Sequence, residues 1–356
     1  MFPSFLLSNA ASCSLSSYFK RKIVTSLTMR QLPEAPSQAS LQFSGATEED
    51  FDEIMGISQG ILDGGLDYMP TRYMDWLQET NRTVILARKQ GKVIALESVF
   101  VIDDGETMLV QALRVAPQER GKGVVGVLQR FCSDLVKSKF PDVKVTRLSR
   151  EDQLGPKDFQ KYRLITKQGI FLVRFRAEEL KLRLSDLGLG DIQSSLSTSF
   201  KPPPVRLDNT AIRRLYLTSD RMHGVLPNAT IIQDSQPFKL LPSNMAILLK
   251  KDIDWMVDDV ANPTVTSLCT FPYRVPIGDD WYYLNIDMFG KELDPVRQQF
   301  LCHLQRHTAT LKGHVMCQVF LDPPLWKPMV EFCLNILNVE LVKEYTEQYV
   351  LESDVI

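Results

Sequence analysis

The sequence lacks several features that would fix its class early. Its 356 residues include only six cysteines and four histidines, and no two cysteines have Cys-x-x-Cys spacing. No stretch approaches the roughly 18 consecutive apolar residues of a membrane-spanning helix. The formal net charge of -2 gives no basic field that would attract nucleic acid. We therefore expect no nucleic-acid, membrane or metal partner, and buried thiols in a reducing compartment.

The first 33 residues lack acidic side chains altogether. This segment is rich in serine and contains Lys20, Arg21, Lys22 and Arg30. Such a composition is typical of a mitochondrial transit peptide, and it also fits a tail before an internal start such as Met29. We predict that residues 1–40 are a disordered N-terminal extension and that the protein is cytoplasmic, with a mitochondrial location as the alternative.

The remaining composition, 44% apolar and 24% charged, is ordinary for a globular protein. From residue 41 to residue 176 the hydrophobic periodicity predicts the order β-α-α-β-β-β-loop-α-β-α-β, with residues 155–165 helical. The second half repeats the strand–helix–strand–helix–strand order, and residues 244–251 are predicted to be one of its strands.

These patterns predict an α/β (α+β) chain with two domains. The first domain spans residues 41–184, and a proline-containing linker spans 185–204. The second domain, residues 205–356, is interpreted either as a degenerate duplicate of the first or as an unrelated α+β domain. The glycine loop of the first domain is missing from it, since the corresponding turn reads "GKELDP".

The stretch "VAPQERGKGVVGVL" (residues 115–128) carries the first domain's most distinctive motif. Its Gly121-x-Gly123-x-x-Gly126 pattern is shared with dinucleotide-binding loops, whose first glycine directly follows a strand. Here Pro117 interrupts the strand well before the first glycine. Lys122 is followed by Gly123 and not by serine or threonine, which excludes a P-loop. The motif therefore needs another ligand.

The full pattern Val-x-Pro-x-x-Arg-Gly-x-Gly-x-x-Gly-x-Leu resembles the acetyl-CoA loop of the GCN5-related N-acetyltransferase (GNAT) superfamily. The resemblance implies a GNAT fold, a mixed central sheet with splayed strands flanked by helices, and acetyl-CoA as co-substrate. Backbone N–H groups at the start of a helix bind a pyrophosphate, and glycines allow its close approach. The implied contacts to coenzyme A come from Leu113, Arg114, Val115, Arg120, Gly121, Lys122, Gly123, Val124 and Gly126.

Longer strings, including "KKDIDWMVDDV" and "DQLGPKDFQKYRLITKQGI", resemble a histidine-acetylating family of this superfamily known from bony fish. The similarity runs through nearly the whole chain after about residue 25. It implies that acetyl-CoA and L-histidine react in a ternary complex to give N-α-acetyl-L-histidine and CoA. Two alternatives stay open: acetylation of another small amine or a peptide N-terminus, and a CoA-binding module without turnover.

Direct transfer to an amine requires a base for the ammonium group and an acid for the leaving thiolate. We predict Glu97 and Glu106 as candidate bases, although the resemblance aligns the family's glutamate with Thr107. Tyr162 is the candidate acid, since the family's tyrosine aligns with Ile165. Three residues in the segment that covers the acceptor site in this superfamily are candidates for binding the substrate: Asp67, Tyr68 and Arg72.

Two further patterns suggest chemistry but favour packing. Cys132 lies on the apolar face of the helix after the loop, with no histidine nearby in sequence, so we interpret it as a core thiol. His303 and His307 are four residues apart, as in helical zinc sites, but the metalloprotease glutamate is absent between them. We interpret them as a packed or solvated pair.

Overall fold

The computed structural model describes residues 41–58, 66–151, 154–188 and 203–355. The predictions made for residues 1–40, and for the linker between residues 189 and 202, lie outside these ranges. Within the ranges, none of the helices has both the length and the apolar character needed to cross a membrane.

The described part of the chain contains strands and helices that we number in chain order. The strands are β1 Gln42–Gly45, β2 Arg82–Lys89, β3 Lys92–Ile102, β4 Thr107–Val115, β5 Val145–Arg150, β6 Arg163–Arg176, β7 Val205–Arg206, β8 Thr230–Gln233, β9 Gln236–Lys239, β10 Ile253–Val257, β11 Thr266–Arg274, β12 Trp281–Phe289, β13 His314–Leu321 and β14 Glu340–Asp354. The helices are α1 Phe51–Ser58, α2 Met69–Gln78, α3 Val124–Lys139, α4 Pro156–Lys161, α5 Ala177–Asp186, α6 Asn209–Leu217, α7 Pro242–Leu248, α8 Leu293–Thr308 and α9 Trp326–Phe332.

Twelve of these strands form one continuous mixed sheet with a symmetric order. Its order is β1-β2-β3-β4-β5-β14-β6-β13-β12-β11-β10-β7. Counted inward from either edge, each of the first four strands is antiparallel to the next within that set. The fifth strand is parallel to the fourth. Both halves of the chain therefore have the same topology, which supports interpreting the second half as a duplicate of the first.

The two halves exchange their last strands. The final strand of the first half, β6, pairs with β13, whereas the chain's last strand, β14, pairs with β5. The two exchanged strands also pair with each other at the centre of the sheet. Helix α5 follows β6 and packs its apolar side chains into the core of the second half. The exchange joins the two halves through backbone hydrogen bonds as well as side chains.

Two local predictions are wrong. Residues 244–251 were expected to be a strand, but Pro242–Leu248 is a helix with proline in its first turn, where a missing N–H costs nothing. Helix α4 ends at Lys161 and β6 begins at Arg163, so the predicted helix over residues 155–165 is too long. Pairing of β6 with β14 and β13 explains the early end, because sheet hydrogen bonds replace the helical ones.

The cysteine and histidine interpretations fit the structure. Within the described residues, Cys132, Cys269, Cys317 and Cys333 are buried free thiols, and Cys302 is partly buried. His303 is fully buried, and its Nε2 lies 2.8 Å from the hydroxyl of Ser267. Burial lowers the pKa of His303 to about 3, so this imidazole is neutral and packed in the core.

Candidate active site

The parallel strands β4 and β5 separate after only three residue pairs. Their pairing runs from Thr107 opposite Val145 to Leu109 opposite Arg147. Beyond that point no described strand pairs with β4 on the β5 side, and a bulge places Ala112 at a φ of 54°. Leu113, in this segment, is 39% exposed. The splayed segment, residues 110–115, thus presents a sheet edge that an extended ligand can join.

The glycine loop lies between the splayed segment and helix α3. Gly121 and Gly123 have φ values of 75° and 78°, a region in which glycine has no steric cost. A Cβ added at Gly121, Gly123 or Gly126 would meet no atom within 4 Å. No side chain caps the first turn of α3, whose leading N–H groups have no intrahelical partners. This open N-terminus of a sixteen-residue helix suits a compact anion.

The charged side chains around the loop are arranged by local contacts. Nε of Arg120 donates to the carbonyl of Val115 at 3.1 Å, which holds the loop against the end of β4. Glu119 accepts from Lys89 at 3.2 Å and lies 3.5 Å from Nζ of Lys122. The three cations Lys89, Arg120 and Lys122 outnumber the carboxylate of Glu119, so the loop has a net positive charge. Lys122 is 53% exposed, so its charge is available to a phosphate.

Arg114 links the splayed segment to helix α2. Its two terminal nitrogens donate to both oxygens of Asp67, at 2.7 and 2.6 Å. The Arg114 side chain is 2% exposed and lies 5.5 Å from the ring centroid of Tyr68. Burial raises the pKa of Tyr68, so its hydroxyl stays protonated and can donate. The predicted acceptor residues Asp67 and Tyr68 therefore lie beside the predicted cofactor strand.

The third predicted acceptor residue, Arg72, faces the second half of the chain. Its Nη2 lies 3.9 Å from Oδ2 of Asp234, in the turn between β8 and β9. Its guanidinium carbon also lies 4.7 Å from the ring centroid of Tyr273 on β11. We call these six residues the junction cluster: Asp67, Tyr68, Arg72, Arg114, Asp234 and Tyr273. Asp234 and Tyr273 were missed in the sequence, where an Asp-Ser hairpin turn and a strand tyrosine carry no special signal.

Buried polar atoms without protein partners lie next to the junction cluster. Asp287 Oδ2 accepts from the backbone N–H of Asp234 at 2.9 Å and from Asn285 at 2.8 Å. The other oxygen of Asp287 and the side-chain amide oxygen of Asn285 are buried without a hydrogen bond from the described residues. Through Asp287, this buried polar pair contacts the turn that carries Asp234.

The two predicted bases do not join this cluster. Glu97 is 1% exposed and its Oε1 accepts from Gln129 of α3 at 3.2 Å. Its neighbour Ser98 contacts Arg82 on the opposite face, so Glu97 faces α3 and not the cluster. Glu106 precedes β4, about 23 Å of extended chain from Leu113, and pairs with Lys144 and Lys239 at 2.8 and 3.2 Å. Neither position suits direct proton transfer from an amine held by the cluster.

The predicted acid lies at the end of α4. Tyr162 is the C-terminal cap of that helix, with extended backbone angles, and it is half-buried with the Lys161 ammonium 4.9 Å from its ring centroid. Ile165, the position that aligns with the superfamily tyrosine, lies on β6 and packs against a core cluster to which both halves contribute. An isoleucine has no proton to donate, so Tyr162 stays the predicted acid.

The second half has no comparable opening. Its parallel strands β12 and β13 stay paired over seven residues, from Trp281 opposite His314 to Asp287 opposite Phe320. Helix α8 begins after Glu292, whose carboxylate would repel a phosphate there. The described residues also contain no group of three or more metal-ligating side chains. Of the two parallel strand pairs in the described sheet, β4 and β5 therefore separate beside a glycine loop, and β12 and β13 do not.

Comparison with known proteins agrees with this arrangement. The family model "Histidine N-acetyltransferase, C-terminal" matches residues 200–322. The chain is 82% identical over 337 residues to the histidine N-acetyltransferase of Scomber australasicus and 79% identical over 337 to that of Oreochromis niloticus, covering 94% of this chain and all of each relative. A solved tandem GNAT protein from the clavulanic acid biosynthesis pathway aligns with a TM-score of 0.51 at 12% identity, over 89% of this chain and 99% of that one. The protein has a tandem GNAT fold, is an acyltransferase, and belongs to the histidine N-acetyltransferase family.

Proposed function

We propose that the protein moves the acetyl group of acetyl-CoA to the α-amine of L-histidine, giving N-α-acetyl-L-histidine and CoA. The assignment of histidine as the acceptor rests on 82% identity, over 94% of this chain, to a relative named histidine N-acetyltransferase. The observation that supports the donor is the splay of β4 from β5 beside an open glycine loop. Acetyl-CoA and L-histidine are the small-molecule partners in this proposal.

Coenzyme A fits the opening in two places. Its pyrophosphate is placed over Gly121 and Gly123, where a Cβ would stand in open space and the first N–H groups of α3 point outward. Its extended pantetheine arm is placed along residues 110–115, whose backbone on the β5 side has no strand partner among the described residues. This path leads the thioester toward Arg114 and the junction cluster.

The reaction is a direct substitution at the thioester carbonyl. The lone pair of the α-amine attacks the carbonyl carbon, a C–N bond forms and the C–S bond breaks. Backbone N–H groups of the splayed segment stabilise the developing oxyanion, and Tyr162 gives a proton to the leaving thiolate. One proton of the α-ammonium leaves through water before the attack, because Glu97 and Glu106 do not face the cluster. The second N–H proton is lost as the C–N bond forms, and it passes through water to restore the hydroxyl of Tyr162. Arg72 holds the substrate carboxylate.

The proposal is tested by CoA release measured with acetyl-CoA and each of the twenty free amino acids. We expect histidine to give the highest kcat/KM, and mass spectrometry to find one acetyl group on its α-nitrogen. Absence of turnover with histidine would contradict the proposal. Turnover confined to another amine or a peptide N-terminus, or CoA binding without turnover, would instead favour one of the two alternatives given above.

A further inference from the structure

The hairpin formed by β8 and β9 brings part of the second half against the first. Its turn residues Asp234 and Ser235 have φ values of 52° and 63°. The Ser235 carbonyl accepts from the hydroxyl of Ser149 on β5 at 2.7 Å, and the Ser235 hydroxyl donates to Gln348 on β14 at 2.6 Å. The turn is therefore fixed beside the point where β5 leaves β4.

The two ion pairs of the junction cluster differ in kind. Arg114 and Asp67 satisfy each other through two short hydrogen bonds, and the Arg114 side chain is 2% exposed. Arg72 and Asp234 stand 3.9 Å apart, beyond hydrogen-bond distance, with side chains 28% and 29% exposed. A zwitterionic substrate can engage Arg72 and Asp234 without first breaking a hydrogen bond between them.

The backbone of Asp234 is held in place by a buried aspartate. Asp287 accepts the backbone N–H of Asp234 and is itself 0% exposed. Burial raises the pKa of Asp287 well above its usual range, and its Oδ2 holds the turn through the hydrogen bond from the Asp234 backbone. Asp287 is therefore a positioning residue for the turn, and Asp234 presents its carboxylate to the cluster.

Aromatic rings lie near Arg72, the ion-pair partner of this carboxylate. The ring of Tyr273 lies 4.7 Å from the guanidinium carbon of Arg72 and 5.4 Å from the ring of Tyr283. Tyr68 lies on the first-half side, and the charge of Asp234 adds to the upward shift of its pKa. A flat group with an N–H donor matches a site that combines aromatic walls with one anchored carboxylate.

We propose that Asp234 accepts an N–H from the imidazole of the acceptor while Arg72 holds its carboxylate, so that the second half of the chain selects the amino acid to be acetylated. This inference rests on the proposed function and assigns specificity within the same site. It gives the half without a glycine loop a defined role. An acceptor without a side-chain donor would leave the Asp234 carboxylate without a partner in a partly desolvated site.

The test compares wild-type protein with Asp234→Gly and Asp234→Asn. Glycine and asparagine both tolerate the positive φ of this turn, so both variants should keep the wild-type melting temperature within a few degrees. For Asp234→Gly we expect the KM for histidine to rise at least about tenfold. The KM for acetyl-CoA should stay within twofold, and the preference for histidine over phenylalanine should fall. Asp234→Asn should give a smaller change of the same kind.

Asp75→Asn is the matched control, because Asp75 is an exposed aspartate on α2 outside the cluster, and it should leave all constants unchanged. An unchanged histidine KM in Asp234→Gly would overturn the inference. A loss of kcat that is equal for every acceptor would also overturn it, since that pattern indicates a base. Failure of the wild-type protein to acetylate histidine would instead contradict the proposed function, so the two failures are distinguishable.

Discussion

Arg114 on strand β4 and Asp67, just before helix α2, form a two-pronged ion pair with N–O distances of 2.6 and 2.7 Å. The same Asp67 accepts the backbone N–H of Met69 at 2.9 Å and so caps the start of α2. One carboxylate therefore joins the splayed cofactor strand to the helix that carries Arg72. In the proposed function, this pair fixes the cofactor strand relative to the helix that carries Arg72.

Replacement of Asp67 by asparagine should be strongly destabilising. It leaves the Arg114 guanidinium, 2% exposed, without its counter-charge, and loss of one partner of a buried pair costs about 3 kcal/mol. Urea unfolding should show this loss as a lower midpoint with an unchanged slope. Asp75→Asn, an exposed change on α2 itself, should alter the free energy of unfolding by less than about 0.5 kcal/mol. Equal stability of the two variants would contradict a structural role for the pair.

Much of the first half could be predicted from sequence because its signals are local. The proline at 117, the glycines at 121 and 123 and the apolar face of α3 each act within one loop and one helix. The strand exchange could not be predicted, since no local signal in β6 or β14 indicates which strand lies beside it in the sheet. Pairing of strands distant in sequence is decided by the whole sheet.

The candidate acceptor site was only partly open to sequence reasoning for the same reason. Asp67, Tyr68 and Arg72 belong to the segment that covers the acceptor in the superfamily, and their role in binding stays a prediction. Asp67 is engaged by Arg114, however, and the second carboxylate of the cluster, Asp234, pairs with Arg72 from more than 160 residues along the chain. Glu97 and Glu106 have the right chemistry for a base, but strand alternation and position along β4 point them elsewhere.

Gly123→Ala and Gly91→Ala form a matched pair that isolates the role of the loop. Gly123 and Gly91 have φ values of 78° and 80°, and a Cβ at either meets no atom within 4 Å. Alanine in this conformation costs roughly 1–2 kcal/mol at either position. Only Gly123→Ala places a methyl group where the pyrophosphate is proposed to lie, so only it should raise the KM for acetyl-CoA, by about tenfold or more.

The KM for histidine should remain within twofold in both glycine variants. Steady-state kinetics with each substrate varied in turn would separate the two constants. Equal effects of the two alanines on the acetyl-CoA KM would indicate that strain, and not blocked access, is the cause. Gly123→Glu is the stronger form of the same change, and its carboxylate should abolish binding of CoA by repulsion. Full turnover of Gly123→Glu would contradict the loop assignment.

Glu97→Gln should stabilise the protein near neutral pH. Burial raises the pKa of Glu97 in the folded state, whereas a glutamate in the unfolded chain has a pKa of about 4.3. Between the pKa of the unfolded state and that of the folded state, Glu97 is ionised only in the unfolded chain, so the free energy of unfolding falls as the pH rises. Above both pKa values this loss of stability persists, because the folded protein then contains a buried charge. Glutamine removes the penalty, so the melting temperature should rise by a few degrees at pH 8 and remain unchanged at pH 4.

Glu97→Gln also tests the sequence prediction of a catalytic base. Because Glu97 faces Gln129 of α3, we expect kcat to stay within about threefold of the wild-type value. Removal of a general base lowers the rate by roughly 100-fold or more. A loss of that size, together with loss of the acidic limb of the pH–rate profile, where a base becomes protonated, would assign the base to Glu97 despite its orientation.

Each chain should bind a single molecule of coenzyme A. Strands β4 and β5 part after three residue pairs, whereas the equivalent strands β12 and β13 stay hydrogen-bonded over seven. The second half cannot admit a pantetheine arm without breaking that ladder, and Glu292 places a carboxylate where its pyrophosphate would lie. Isothermal titration with CoA should therefore give a stoichiometry of one, reduced to zero by Gly123→Glu. Glu292→Gln should leave it at one, because loss of the repulsion does not open the strands. A stoichiometry of two in the wild-type protein would show that the paired strands of the second half do separate for a ligand.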